Sequence, residues 1–171
     1  MRTALIETAI GVFAMAWGDR GVCRFALPGR TPSWASDGGE LAEPDGDLAA
    51  IPGMVRRYAE GEKVDFTGVP LDLGGVATLN RRAYAELLRI GYGETTTYGA
   101  IGRALGDATL ARAVGTAMGR NPIPLLIPCH RVLGANGRPV GFSAPGGVTS
   151  KMKLLALEHA AAPTGQYAFG F

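Results

Sequence analysis

Ile123-Pro124-Leu125-Leu126-Ile127-Pro128-Cys129-His130-Arg131-Val132-Leu133 is an apolar, β-prone run set between prolines, and it delivers a thiol, an imidazole and a guanidinium in consecutive positions. The run reads as a buried strand. Three reactive groups in a row are more chemistry than a hydrophobic core requires. A cysteine beside histidine and arginine can have its pKa lowered, so that more of it is the nucleophilic thiolate at neutral pH. Cys129 is therefore the candidate reactive centre. In an extended segment neighbouring side chains point to opposite faces, so Cys129 and His130 need a bend or a bridging water to work together.

Upstream, Glu94 to Asp107 places three threonines ahead of a periodic segment in which Tyr98, Ile101 and Leu105 share a face. Threonine suits an N-cap and Gly106 stops the helix. After the turn at Gly106-Asp107 a second helix is expected from Thr109 to Gly119, with Leu110, Val114 and Met118 buried and Arg112, Thr116 and Gly119 projecting elsewhere. Two short helices joined by a glycine turn make a helix-turn-helix. The small Ala111, Ala113, Gly115 and Ala117 keep the second helix slim, which suits approach to a nucleic-acid groove. An earlier amphipathic helix starts near Thr78, with Leu79, Ala83, Leu87 and Ile90 on one face and Gly91 and Gly93 at its end.

Downstream, Gly134 to Gly137 is a turn and Val140 to Gly147 a glycine-rich loop, which permits close backbone approach to a ligand. A final helix is expected from about Thr149. Leu154, Leu155 and Glu158 stand at i, i+1 and i+4, which puts Glu158 on or beside the apolar stripe, where a carboxylate needs a partner. His130 is the candidate. Glu158 is expected to accept from one imidazole nitrogen while the other reaches the Cys129 sulfur through a water. A Cys, His and Glu set of this kind could equally serve a thiol hydrolase.

The first part of the chain is β-like. Short apolar runs between Thr3 and Leu27 are separated by the hairpin turn Gly18-Asp19-Arg20-Gly21. Cys23 lies in one of these strands and reads as a small buried hydrophobe. Pro28 to Asp47 reads as a loop, Leu48 to Ala59 as a helix with Pro52 in its first turn, and Gly61 to Gly75 as a short strand and a connection.

With 171 residues, 47% hydrophobic and 19% charged, the chain is a folded protein and not a disordered one. Thr8 to Gly18 is too short to span a bilayer, and Glu7 and Asp19 at its ends do not suit an export signal. The expected compartment is the reducing cytoplasm, with Cys23 and Cys129 as free thiols. Residues 1–80 hold 7 Lys/Arg against 11 Asp/Glu, whereas residues 81–171 hold 10 against 4. The basic half carries the reactive stretch, which favours a polyanionic partner such as nucleic acid. No Cys/His cluster supports a metal site.

From about Thr78 to His159 the sequence resembles the O6-alkylguanine-DNA alkyltransferases, the methylated-DNA-protein-cysteine methyltransferase family. The resemblance rests on Ala111-Arg112-Ala113-Val114-Gly115, then Asn121-Pro122, then Ile127 to Val132, then Gly146-Gly147 leading to Lys151 and the Leu154 to Glu158 helix. It implies an α+β protein: a small N-terminal antiparallel-sheet domain of ribonuclease-H-like type over residues 1–75, and a mainly helical domain over residues 76–171 with the helix-turn-helix and a short active-site strand. It also implies a monomer without cofactor that acts on double-stranded DNA. Cys129 would take the alkyl group of O6-alkylguanine, and of O4-methylthymine, once and irreversibly.

By the same resemblance His130 and Glu158 would form the relay that deprotonates the thiol. Tyr98 would crowd the target phosphate and bond the flipped guanine, and Arg112 would enter the stack where the base has left. Asn121 would organise the turn into the active-site segment, while the Val132 backbone and Ser143 would hold guanine edges and O6. Two departures stand out: Phe142 replaces a tyrosine common in relatives, and Ala144-Pro145 lengthens the loop before Gly146-Gly147. The alternative within the family is a non-catalytic binder of alkylated DNA, in which the reactive cysteine is replaced.

Overall fold

The computed structural model describes residues 1–36 and 39–160. Two tight turns build the first sheet. Strands β1 (Arg2–Thr8) and β2 (Gly11–Gly18) pair antiparallel from Arg2↔Trp17 to Thr8↔Gly11, and β3 (Gly21–Ala26) returns along β2 from the Gly18↔Gly21 pair. Gly21 has φ +121°, and a Cβ there would run into the Pro70 carbonyl, so the hairpin end admits glycine alone. The four-residue helix α1 (Ser33–Ser36) follows, and β4 (Glu40–Leu41) then joins β1 in parallel. The sheet order is thus β3-β2-β1-β4 and the sheet is mixed, where an antiparallel one was expected.

Every residue of β2 from Phe13 to Trp17 is buried, as suits a central strand covered on both faces. Helix α2 (Ile51–Ala59) packs against β1 and buries Ile51, Val55 and Tyr58, with Pro52 in its first turn where no hydrogen bond is lost. The expected strand between Gly61 and Gly75 is reduced to one bridge, Leu71 beside Val22, held by Val22 N–H donating to Pro70 O (2.8 Å) and Asp72 N–H to Val22 O (2.8 Å). Pro70 has no N–H to donate, and Gly61, Gly68, Gly74 and Gly75 favour turns over a continuous strand. Cys23 is only partly buried and its thiol donates to Ala16 O at 3.5 Å.

The chain divides into two compact units, Met1–Gly74 with Pro122–Leu126, and Gly75–Asn121 with Ile127–Phe171. Residues 122–126 fall with the first unit, where a single boundary near residue 75 would put them in the second: Pro122 O accepts from Phe25 N–H at 2.9 Å.

In the second unit α3 (Thr78–Leu87) buries Ala83, Tyr84 and Leu87, and the Tyr84 hydroxyl donates to Ala117 O at 2.7 Å. Strand β5 (Thr96–Thr97) feeds α4 (Tyr98–Ala104), whose N-cap is Thr97, its Oγ1 accepting from Ala100 N–H at 3.1 Å. A Cβ on Gly102 would come within 3.1 Å of Asp107 O, so glycine lets the next turn close on α4. After a 3-10 turn at Ala108–Leu110 comes α5 (Ala111–Gly119), which packs on α4 and buries Val114, Ala117 and Met118; Leu110 stays half-exposed because it lies in the 3-10 turn ahead of the helix. Another 3-10 turn, Cys129–Arg131, leads into β6 (Val132–Leu133), and α6 (Gly147–Leu157) closes the described part of the unit.

Removing the cap oxygen should matter here. Thr97→Ala is expected to cost about 1 kcal/mol in urea denaturation, because Ala100 N–H loses its acceptor, whereas Thr97→Ser keeps the oxygen and should stay within about 0.5 kcal/mol of the parent.

Candidate functional site

Parallel pairing of Thr96 with Val132 and Thr97 with Leu133 ties the start of α4 to the residues just after the cysteine. Tyr98 is the first residue of α4 and Cys129 opens the turn that runs into β6, so one two-residue ladder brings phenol and thiol to the same place. The thiol is not on a strand as expected. Prolines at 124 and 128 remove ladder donors, Leu125 adopts φ +76°, and the chain enters Cys129 as a 3-10 turn. That turn supplies the bend which an extended segment lacks.

Tyr98, Gly115, Met118, Gly119, Cys129 and the loop 140–143 enclose a cavity of about 480 Å³. Cys129 is 5% exposed. Phe142 and Ser143 both line the cavity. The Tyr98 hydroxyl donates to Val140 O at 3.0 Å, and Lys151 Nζ donates to the same carbonyl at 3.0 Å. Lys151 is fully buried, its ammonium 5.8 Å from the Tyr98 ring centre and 5.9 Å from that of Phe142. Burial brings its pKa down to about 8, against the pull of a Cys129 thiolate. Burial also raises the Tyr98 phenol, with the thiolate charge adding to it.

The Cys129 pKa is raised, contrary to the sequence expectation, because burial outweighs the hydrogen bond from Asn121, the Lys151 charge and the bonds from backbone amides. The guanidinium expected to help turns elsewhere. Arg131 Nε donates to Glu158 Oε2 at 2.9 Å, Nη2 to Oε1 at 3.0 Å, and Nη1 to Ile90 O at 2.6 Å. His130 Nε2 lies 2.7 Å from Glu158 Oε1 with both side chains fully buried. Gly93 N–H reaches Glu158 Oε2 at 3.2 Å.

Glu158 caps the end of α6 and is not within the helix. Burial pushes its carboxyl pKa up, but hydrogen bonds and charge from His130 and Arg131 hold it well below the usual carboxylate range. Burial lowers the His130 pKa, and the Arg131 and Lys151 charges lower it further against the pull of Glu158. Both directions favour a carboxylate facing a neutral imidazole, the state in which Nε2–H would donate to Glu158. His130 Nδ1 is buried without a hydrogen-bond partner among the described residues.

The remaining candidates divide. Asn121 Nδ2 donates to Ile127 O at 2.8 Å, bracing the segment that carries the thiol. Val132 is buried and does not line the cavity. Arg112 lies apart from the thiol cavity, exposed on α5 in a shallow open depression with Thr109, Ala111, Ala113 and Thr116. Sequence reasoning missed Arg131 as the partner of Glu158, and it missed Lys151. The second was readable: Lys151, Leu154, Leu155 and Glu158 stand at i, i+3, i+4 and i+7, which places the lysine on the apolar stripe. Among the described residues no group of three or more His, Cys, Asp or Glu could hold a metal, and no helix is long and apolar enough to cross a membrane.

A buried thiol followed in the chain by a hydrogen-bonded histidine-glutamate pair, on a unit with two helices joined by a turn, suits a protein whose chemistry runs through a cysteine. Residues 78–160 match the family described as 6-O-methylguanine DNA methyltransferase, DNA binding domain. The methylated-DNA--protein-cysteine methyltransferase of Mycobacterium tuberculosis (strain ATCC 25618 / H37Rv) is 42% identical over 136 residues, 80% of this chain and 75% of that one. The protein of that name from Mycolicibacterium paratuberculosis is 37% identical over 164 residues, 92% of each. The crystal structure of Mycobacterium tuberculosis OGT in complex with DNA matches with TM-score 0.78 and 32% identity, over 96% of this chain and 97% of that one. The chain belongs to the methylated-DNA--protein-cysteine methyltransferase family.

Proposed function

We propose that this protein repairs DNA by transferring the alkyl group of O6-alkylguanine, methyl foremost, to the sulfur of Cys129 in a single irreversible turnover. The observation that carries the reading is the placement of a buried thiol on a cavity of about 480 Å³ with Tyr98 and the 140–143 loop around it. O6 of guanine lies inside the duplex, so a thiol this deep is reached only by a base turned out of the stack.

In this reading His130 Nδ1, its Nε2–H held by Glu158, takes the thiol proton by way of a water. The thiolate attacks the alkyl carbon in line, the S–C bond forms as the C–O6 bond breaks, and the electron pair leaves with the guanine. Hydrogen bonds to the departing base, from Tyr98 and from the loop at Ser143, offset the charge that develops on it, and a proton returns to the guanine. The thioether is not hydrolysed, so the acceptor is consumed. Asn121 braces the turn, the Val132 backbone holds a guanine edge, and Phe142 gives the alkyl group an apolar wall. Acceptor and base lie on one chain, which suits a monomer without cofactor acting on duplex DNA in the cytoplasm; O4-methylthymine is a second substrate of the same chemistry.

Intact mass after incubation with a duplex carrying O6-methylguanine tests the reading. One methyl gained per chain, on Cys129 and then no more, is expected. Unchanged mass with tight binding would instead identify a non-catalytic binder, and catalytic turnover of esters or amides without lasting modification a hydrolase.

Arg112 should separate the DNA step from the chemical one. Arg112→Ala is expected to slow reaction with the duplex by about 10- to 100-fold, because nothing fills the space left by the turned-out base, with free O6-benzylguanine reacting within about twofold of the parent rate. Equal loss on both substrates in rapid-quench assays would remove Arg112 from that role.

A further inference from the structure

The relay contains one more buried charge than thiol activation obviously requires. Arg131 is 7% exposed, follows His130 directly, and spends three donors on two acceptor groups: Nε and Nη2 on the two oxygens of Glu158, and Nη1 on Ile90 O. The same carboxylate also meets His130 Nε2 at Oε1 and Gly93 N–H at Oε2.

Geometry makes the arginine more than filler. A buried glutamate bonded to an imidazole alone would draw a second proton onto that ring, and a protonated His130 cannot accept the proton of Cys129. A two-pronged guanidinium on the same carboxylate opposes that pull while leaving the Nε2–H bond in place. We infer that Arg131 is a positioning residue of the relay: its ion pair with Glu158 keeps the His130 imidazole neutral, with Nε2 as donor and Nδ1 open as acceptor. The inference rests on the reading of Cys129 as the alkyl acceptor, since only there does a neutral base have a task.

The other groups facing the ring agree in sign or lie further out. Lys151 of α6 adds positive charge and opposes protonation, as Arg131 does, and Glu158 favours it. Cys129 is the ring's neighbour in the same turn. Tyr92, whose hydroxyl donates to Leu157 O at 2.7 Å, senses the Glu158 and Arg131 charges, and Tyr84 of α3 senses Cys129. Both phenols have raised pKa values and stay neutral through the relevant range.

The test is nitrogen NMR of the histidine rings in the full chain, which has two histidines, His130 and the exposed His159. From about pH 6 to 8 the parent protein is expected to show His130 as the neutral Nε2–H form. In Arg131→Gln the His130 titration should move up by about one pH unit, and the acid limb of the rate with free O6-benzylguanine should move with it. Arg131→Lys retains the charge but not the fork, so it should leave the titration near the parent value while lowering the rate severalfold.

A parent His130 that is protonated at neutral pH, or that carries its proton on Nδ1, overturns the inference without any variant, so a glutamine variant that fails to fold does not remove the test. So does a folded Arg131→Gln variant with an unmoved titration and only a lowered melting temperature. The two readings fail separately: a neutral Nε2–H ring in a protein that gains no methyl from DNA would refute alkyl transfer, while methyl gain with an ordinary histidine titration would refute the role of Arg131.

Discussion

Cys129→Ala should gain no mass from O6-methylguanine in duplex DNA, with the transfer rate falling by at least about four orders of magnitude, the scale of removing a covalent nucleophile. Fold and DNA binding should survive. Cys129 is a small buried side chain, and losing its sulfur costs roughly 1 kcal/mol, well inside the stability of an ordinary domain. A gel shift retained in the variant with no methyl uptake would locate the chemistry in the thiol and the binding elsewhere. Uptake that persisted would move the acceptor to another residue, for which the half-buried Cys23 is the first place to look.

Glu158→Ala should be the most damaging single change to stability in the second unit. It leaves the Arg131 guanidinium and the His130 Nε2–H in a buried site without their acceptor, and removing one member of a buried ion pair costs about 3–5 kcal/mol. Alkyl transfer should fall by about 10²- to 10⁴-fold with the loss of an oriented base. Chemical denaturation at several pH values gives a second reading. The Glu158 pKa is lowered in the folded state, so its contribution is full above the unfolded carboxylate value near 4.3 and is lost as pH falls through the folded value. The parent protein should therefore lose more stability than Glu158→Gln on acidification from about pH 5. A Glu158→Ala protein as stable as the parent would show that the buried network contributes nothing net.

The fold and the site were legible to different depths. The hairpin at Gly18–Gly21, the proline in the first turn of α2 and the threonine cap of α4 came from local chemistry that acts within a few residues, and the structure has them where that chemistry puts them. The segment into Cys129 did not. An apolar run between prolines has the same composition whether it is a strand or an irregular buried crossing, and the positive φ of Leu125 leaves no mark on hydrophobic pattern. The same limit applied to β4, a two-residue parallel addition to a sheet edge that no alternation could announce.

Among site residues, the closeness of His130 and Glu158 followed from the demand that a carboxylate on an apolar stripe find a partner. The direction of Arg131 did not follow. Its adjacency to Cys129 suggested a thiol companion, and only the 3-10 turn sends its guanidinium to the far end of α6, leaving burial to raise the thiol pKa.

That convergence on one carboxylate also sets when in the life of the chain the buried network can form. Glu158 follows His130 by 28 residues and gathers donors from Gly93, 65 residues before it. Contacts that distant in sequence form late, after the intervening segments have been made and have found their places. During synthesis on the ribosome Cys129 and His130 therefore emerge together, 28 residues ahead of the carboxylate that holds the imidazole in the finished fold.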